Sequence, residues 1–208
     1  MRLLAMGLCL LAAVVLVGCD PLTGGAGIWT APASLYPMYG SDKETVADAT
    51  LLGEWRHDED ASDVTKYFFR EDDKVGGYVM GIVSGGSQST WRMRLVPSEG
   101  QTFLDVAPLE SRVGGNADAS EARLGLHLVL RLRKEGARLH LDYLNPDWYM
   151  RLLEQKQFPL KIERLGDNMP VVTSPPEEIR AFYTKAAADP KAFAEVAVLH
   201  RPQGAKTR

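Results

Sequence analysis

The chain predicts a mainly β domain with a few short helices: an antiparallel up-and-down barrel or strongly curved sheet, with C-terminal helices inserted before the last strand. Three observations carry this. From Leu51 to Asn145 apolar and polar residues alternate with period two, the mark of half-buried strands. Turn chemistry at Glu71-Asp72-Asp73-Lys74, Gly85-Gly86-Ser87 and Glu99-Gly100 punctuates that alternation. Finally, many strands in one modest domain would leave exposed edges, and closing the sheet on itself removes them.

The first element is not part of that domain. Met1-Arg2 precedes an apolar run, Leu3–Val17, which ends in Leu16-Val17-Gly18-Cys19. From Leu3 to Gly18 is 16 residues, short of the ~20 that a spanning helix needs. A secretory signal has a shorter apolar region followed by small residues at the cut, and Gly18 is such a residue. The four residues resemble the lipobox of bacterial lipoproteins. The resemblance implies cleavage between Gly18 and Cys19, acylation of Cys19, and attachment to a membrane through acyl chains. One acyl chain binds marginally and two or three hold firmly. Asp20 resembles the residue that retains such proteins in the inner membrane, so the expected location is the periplasmic face of the cell envelope, with the inner membrane favoured and the outer membrane the alternative.

Residues 1–18 are therefore a signal peptide and 19–50 a lipidated cysteine with a flexible tether. Pro21, Gly24, Gly25, Gly27, Pro32 and Pro37 fall in the tether, which shows no sustained apolar period. A flexible chain of ~30 residues reaches roughly 30 Å. Ile28-Trp29 and Leu35–Tyr39 form an apolar patch there, expected to pack on the domain or to dip into the membrane interface.

Of the two cysteines, Cys9 lies in the signal and Cys19 carries lipid, so the mature domain can form no disulfide and must stand on its core. Residues 51–202 are long enough for one domain with a substantial core, and 203–208 read as a disordered tail. The 24 basic residues oppose 27 acidic ones, both interspersed. Loss of Arg2 with the signal leaves 23 against 27, a balance of −4. This argues against a nucleic-acid partner, which requires a basic patch or stripe.

Expected strands are 51–57, 64–70, 76–84, 90–96, 102–107, 124–133 and 138–144, with 108–123 a polar loop. In the last pair, Leu128, Leu130 and Leu132 share one face, as do Leu139, Leu141 and Tyr143. The expected register sets Leu132 opposite Leu139, Leu130 opposite Leu141 and Leu128 opposite Tyr143, around a tight turn at Glu135-Gly136 or a four-residue loop. His127, Arg131, Arg133, His140 and Asp142 then face water.

Asn145-Pro146-Asp147 reads as a helix start, with cap, proline and an acid near the positive end. Trp148 and Leu152, with Met150 or Leu153, give that helix an apolar face to about Lys156. Two short strands follow at 158–165 and 169–173. Ser174-Pro175-Pro176-Glu177 fits a capping box ahead of Ile179, Phe182, Tyr183 and Ala186 at helical spacing. Asp189-Pro190 starts one more turn, and Val196–Arg201 is the last strand.

Leu52-Gly53-Glu54-Trp55 resembles the G-x-W start of lipocalins and related barrels. The resemblance implies that Trp55 plugs the closed end with an arginine from the last strand lying across it, a place that Arg201 fits. A second lipocalin motif is missing and two helices are inserted. The chain also resembles uncharacterised bacterial lipoproteins of this size, which implies no activity. If the barrel is hollow, Phe68, Tyr78, Met80, Met93, Leu128, Leu130 and Tyr143 would line a cavity for a small hydrophobic ligand. The same residues would otherwise simply fill it.

Catalytic patterns do not emerge. His57, His127, His140 and His200 have no metal-helix spacing, and the sequence has no H-E-x-x-H or C-x-x-C. The acidic stretch from Asp58 to Asp63 fails the calcium-loop pattern, and the Gly-Gly pairs lack the context of a phosphate loop. A nucleophile elbow is absent too. The expectation is a non-enzymatic, lipid-anchored envelope protein without a cofactor or metal. It binds either a small hydrophobic ligand or, as an accessory module with a filled barrel, an envelope protein complex.

Overall fold

Eight antiparallel strands close on themselves in the computed structural model, which describes residues 32–57, 65–73, 76–112, 125–165 and 169–202. The strands are β2 (Gly53–His57), β3 (Lys66–Glu71), β4 (Tyr78–Ser84), β5 (Ser87–Ser98), β6 (Gln101–Arg112), β7 (Leu128–Glu135), β8 (Arg138–Leu144) and β11 (Phe193–His200). Seven follow in chain order, and β11 pairs with both β8 and β2 to shut the ring. A small second sheet joins β1 (Ala33–Ser34), β10 (Met169–Val172) and β9 (Ile162–Leu165). Helices α1 (Pro146–Glu154) and α2 (Pro176–Ala186) lie between β8 and β11, so the chain inserts its helices before the last strand. The signal and lipobox residues Gly18, Cys19 and Asp20, with Ile28, Trp29, the loop 113–124 and the tail 203–208, lie outside the described residues.

The alternation that predicts the strands also sorts their faces. Trp55, Tyr67, Phe69, Met80, Ile82, Met93, Leu95, Leu104, Leu130 and Leu141 point inward and are at most 4% exposed. Their neighbours point out. Phe68 is one of those neighbours: it is 39% exposed on the outer face, where it lies beside Gly81. It therefore cannot line a cavity, because Trp55 pairs with Tyr67 and sets that residue, with Phe69, on the inner face.

The β7–β8 register differs from expectation by two residues. Leu130 faces Tyr143, Leu132 faces Leu141, and Glu135 pairs with Arg138 around Gly136-Ala137. Gly136 takes φ +60, which a two-residue hairpin turn requires. An even shift keeps every side chain on its face. It does place Arg133, not Arg131, opposite His140, and sets Arg131 opposite Asp142.

A second layer covers part of the outer wall. Val96, Phe103, Val129, Leu144 and Phe193 lie under Met38, Tyr149, Val172, Ile179, Phe182 and Tyr183 in a distinct apolar core. Aromatic edges dominate it: Phe158 and Phe182 are 5.1 Å apart between centroids, and Phe182 and Tyr183 5.4 Å. Asn145 caps α1 as expected, accepting the Asp147 N–H at 3.0 Å, but the buried residue of that helix is Tyr149, while Met150 is 44% exposed. The expected Ser174 cap does not form. Pro175 stands at the N-cap of α2, and the fully buried Ser174 accepts the Lys161 N–H instead. Asp189-Pro190 forms a turn, as expected, and leads into β11 at Phe193; the Asp189 carboxylate accepts from Trp148 Nε1 at 2.8 Å.

Residues 32–52, expected as tether up to residue 50, are packed on the barrel as a strap. The ends of the barrel define its course. At the upper end lie the close of β2, the β4–β5 turn, the start of β7 and the close of β8; at the lower end lie Gly53 and the β5–β6 and β7–β8 turns. The strap begins at the upper end, where Ser34 and His127 exchange two backbone hydrogen bonds of 2.8 Å. It descends the outside past Asp105 and Arg94, and Val46 donates to the Leu95 carbonyl at 3.0 Å. A 3-10 turn, Ala49–Leu51, crosses the lower end into β2.

Candidate functional site

An eight-stranded barrel is just wide enough for side chains to fill it or for one small ligand. Here Tyr67, Met80, Met93, Leu95, Leu104 and Leu130, from five strands, meet at 0–2% exposure within one continuous core. Of the expected cavity residues, Tyr78, Met80, Met93, Leu128 and Leu130 are buried in that core, and Tyr143 packs against it partly buried. Two surface clefts, each of about 550 Å3, lie outside the barrel. One is lined by Gly40, Glu44, Ser98, Glu99, Arg180 and Thr184, the other by Asn145, Met150, Arg151, Lys191 and Phe193 among others.

The lower end is sealed by polar groups that complete one another. The Arg201 guanidinium lies 4.0 Å over the Trp55 ring. It donates to the carbonyls of Leu52 at 2.7 Å and Thr50 at 2.6 Å. Trp55 Nε1 donates to the Leu51 carbonyl at 2.7 Å. Gly53 makes this possible: its φ is +105, and a Cβ there would come within 2.8 Å of Arg201 Nη1. Asp48 closes the plug from the strap. Its N–H donates to the Tyr78 hydroxyl, and its carboxylate binds Lys134. Burial alone would raise the Asp48 pKa, but the Lys134 and Thr50 hydrogen bonds outweigh it and hold the carboxyl below its ordinary value.

The most built polar cluster lies on the outer wall, under the strap. Asp105 on β6 is 2% exposed and sits opposite Arg94 on β5, itself 7% exposed. Asp105 Oδ1 is 2.5 Å from His127 Nδ1, and Oδ2 accepts the Met38 N–H at 2.8 Å. Arg94 reaches out to Asp42 of the strap at 3.2 Å. Gly77 leaves room for it, since a Cβ there would lie 2.6 Å from Arg94 Cδ. Burial, then the charge of Asp105, raises the Tyr39 phenol pKa against a hydrogen bond from Arg94. Burial and then Asp105 act on Tyr183 in the same sense, and more strongly. These phenols stay protonated at neutral pH and are not bases. Ser34 Oγ, on the strap beside His127, turns to the Val172 carbonyl at 3.4 Å. The cluster fastens the strap to the barrel wall through the Met38 N–H and Asp42.

A second ionic group lies on β7, β8 and β11. Asp142 is 1% exposed and takes Arg131 at 2.8 Å and Arg133 at 2.8 Å; Arg133 goes on to Glu195 at 3.2 Å. Arg131 also lies 4.4 Å over the Phe193 ring. The arginines cover Asp142, so it does not face water as expected. Glu195 additionally accepts from His140 Nδ1 at 2.7 Å.

Among the described residues no group of three or more His, Cys, Asp or Glu side chains could hold a metal ion, and no helix is long and apolar enough to cross a membrane. Sequence reasoning missed Arg94, Asp105 and the strap contacts at Met38 and Tyr39. A signal was present. Met93-Arg94-Leu95-Val96 and Phe103-Leu104-Asp105-Val106 are apolar on both faces apart from one charge each, which marks strands covered on both sides. No family model, curated protein or solved structure matches the chain.

Proposed function

We propose that this chain is a lipid-anchored protein of the bacterial cell envelope, acylated at Cys19, whose barrel is a packed scaffold that presents its outer surface to an envelope partner. The lipobox resemblance at Leu16–Cys19 supports the anchor, and Asp20 favours the periplasmic face of the inner membrane. The observation that carries the scaffold reading is the interior itself. Tyr67, Phe69, Met80, Met93 and Leu130 occupy the space that a hydrophobic ligand would need. The Trp55–Arg201 plug supports it from below. On this reading the protein is non-catalytic, and specificity lies in its outer surface, including the strap and the α2 cleft.

The anchor is tested by mass spectrometry of the N-terminal peptide from the membrane fraction. The expected mature chain starts at Cys19 and carries acyl chains on that residue. An unmodified Cys19, or a peptide that still contains Gly18, overturns the anchor.

A further inference from the structure

The strap is not held evenly along its length. Met38 is 0% exposed with its N–H on Asp105, and Leu51 is 1% exposed with its carbonyl on Trp55 Nε1, so both flanks are pinned to buried groups. Between them, none of the eight residues 40–47 is buried. Among the described residues, the polar contacts of this span with the body are two ion pairs and one backbone bond. Asp42 meets Arg94, Glu44 meets Arg180, and the Val46 N–H donates to the Leu95 carbonyl at 3.0 Å. Segments with so few buried contacts and backbone bonds are the ones that open locally while the core stays folded. The same span is one wall of the α2 cleft, where Gly40 and Glu44 join Ser98 of the β5–β6 hairpin and Arg180 and Thr184 of α2. We infer that residues 40–47 are a gate on this cleft, latched by Glu44 on Arg180, which opens while the barrel and both flanks of the strap stay in place. The inference rests on the scaffold reading only for the use of the cleft.

Arg180 is the point where three elements meet. One guanidinium nitrogen donates to Glu44 of the strap, and the other donates to the Pro97 carbonyl of β5 at 3.2 Å. Gly40 leaves room for the Glu44 carboxylate, since a Cβ there would lie 3.2 Å from Glu44 Oε1. The cleft does not hold Glu44 by charge alone: Lys185 lines it and favours the closed wall, while Glu99 and Glu177 line it and oppose it. The latch is therefore a shallow balance. A partly exposed ion pair shifts such an equilibrium about two- to fivefold. Opening parts Glu44 from Arg180, widens the cleft on the strap side and leaves the guanidinium uncovered towards a partner.

The test is residue-resolved amide hydrogen exchange on the full-length protein, read at Val46 in the gate, Met38 in the pinned flank and Ile82 in β4. Val46 should exchange faster than the other two. Glu44→Gln should speed it a further two- to fivefold or so. Raising sodium chloride from about 0.05 to 1 M should do the same in the parent, because the screening length falls to about 3 Å, and should do less in Glu44→Gln. Lys43→Gln should change nothing, since Lys43 makes no ion pair among the described residues. Met38 and Ile82 should hold their rates throughout. Val46 exchange that is indifferent to both salt and Glu44→Gln overturns the latch. Val46 exchange that rises only in step with Met38 and Ile82 overturns the gate, because the span then opens only with the whole domain. A ligand found inside the barrel would overturn the scaffold reading and leave this exchange pattern as it is.

Discussion

Replacing Asp105 with alanine removes the acceptor that joins three parts of the molecule. The carboxylate binds His127 Nδ1 at 2.5 Å and the Met38 N–H at 2.8 Å, and it faces Arg94 across the β5–β6 ladder, all at 2% exposure. Charge-assisted hydrogen bonds contribute about 1.5–3 kcal/mol each. Breaking a buried ionic cluster from one side costs about 3–5 kcal/mol, because the remaining charge stays buried. Both routes agree on a loss of about 3–5 kcal/mol, or a Tm fall of roughly 6–20 °C in a domain of this size. The assay is urea unfolding followed by tryptophan fluorescence, with hydrogen exchange at the Met38 amide. That amide should lose protection, and the loss should exceed that in the central barrel strands. The double variant Asp105→Leu with Arg94→Leu should recover part of the loss, since an apolar pair leaves no buried charge behind. An Asp105→Ala protein within about 0.5 kcal/mol of the parent, or one whose Met38 amide stays protected, would refute the claim that this cluster fastens the strap.

Three further outcomes follow from the same geometry. Gly53→Ala meets Arg201 Nη1 at 2.8 Å and forces a side chain onto φ +105, so it should cost about 1–3 kcal/mol in urea unfolding; a neutral result contradicts the described plug. The Asp48 pKa is depressed by Lys134 and Thr50 against burial, so its stabilisation is complete above the ordinary 3.8 and disappears as pH falls through the lower folded value. Asp48→Asn should therefore flatten the acid limb of stability against pH while leaving the alkaline limb alone. Burial first, then Asp105 and Tyr149, holds the Tyr183 phenol far above the ordinary 10.0, so its stabilisation is complete below pH 10 and is lost as pH rises further and the unfolded phenol ionises. Tyr183→Phe should move the alkaline unfolding midpoint upward, read by circular dichroism, and an unchanged midpoint counts against that burial.

The barrel was legible because its strands are half-buried over much of their length, so period two survives in the residues. Where a strand is covered on both faces the pattern blurs. The outer layer over Val96, Phe103 and Val129 could be read only from apolar runs with one charge in each. The β7–β8 register slipped by two because leucine at every second position looks the same after an even shift; the Gly136-Ala137 turn, not the leucines, selects the native pairing. Phe68 lies outside although the sequence suggests the interior, because Tyr67-Phe68-Phe69 offers no polar residue to mark the outer face, and only the pairing of Tyr67 with Trp55 decides it. The strap has no period. It is held by single long-range bonds, such as Met38 to Asp105, that leave no local trace in the sequence. The plug was more visible, because Gly53, Trp55 and Arg201 are unusual residues at fixed places, and the structure brings them together.

The scaffold reading depends on an interior occupied by Tyr67, Met80, Met93 and Leu130. Native mass spectrometry of a soluble form beginning at Asp20, produced in a bacterial periplasm, tests it most directly. The account predicts the mass of the bare polypeptide, unchanged on denaturation. A reproducible extra mass that denaturation releases would contradict it and make the barrel a carrier.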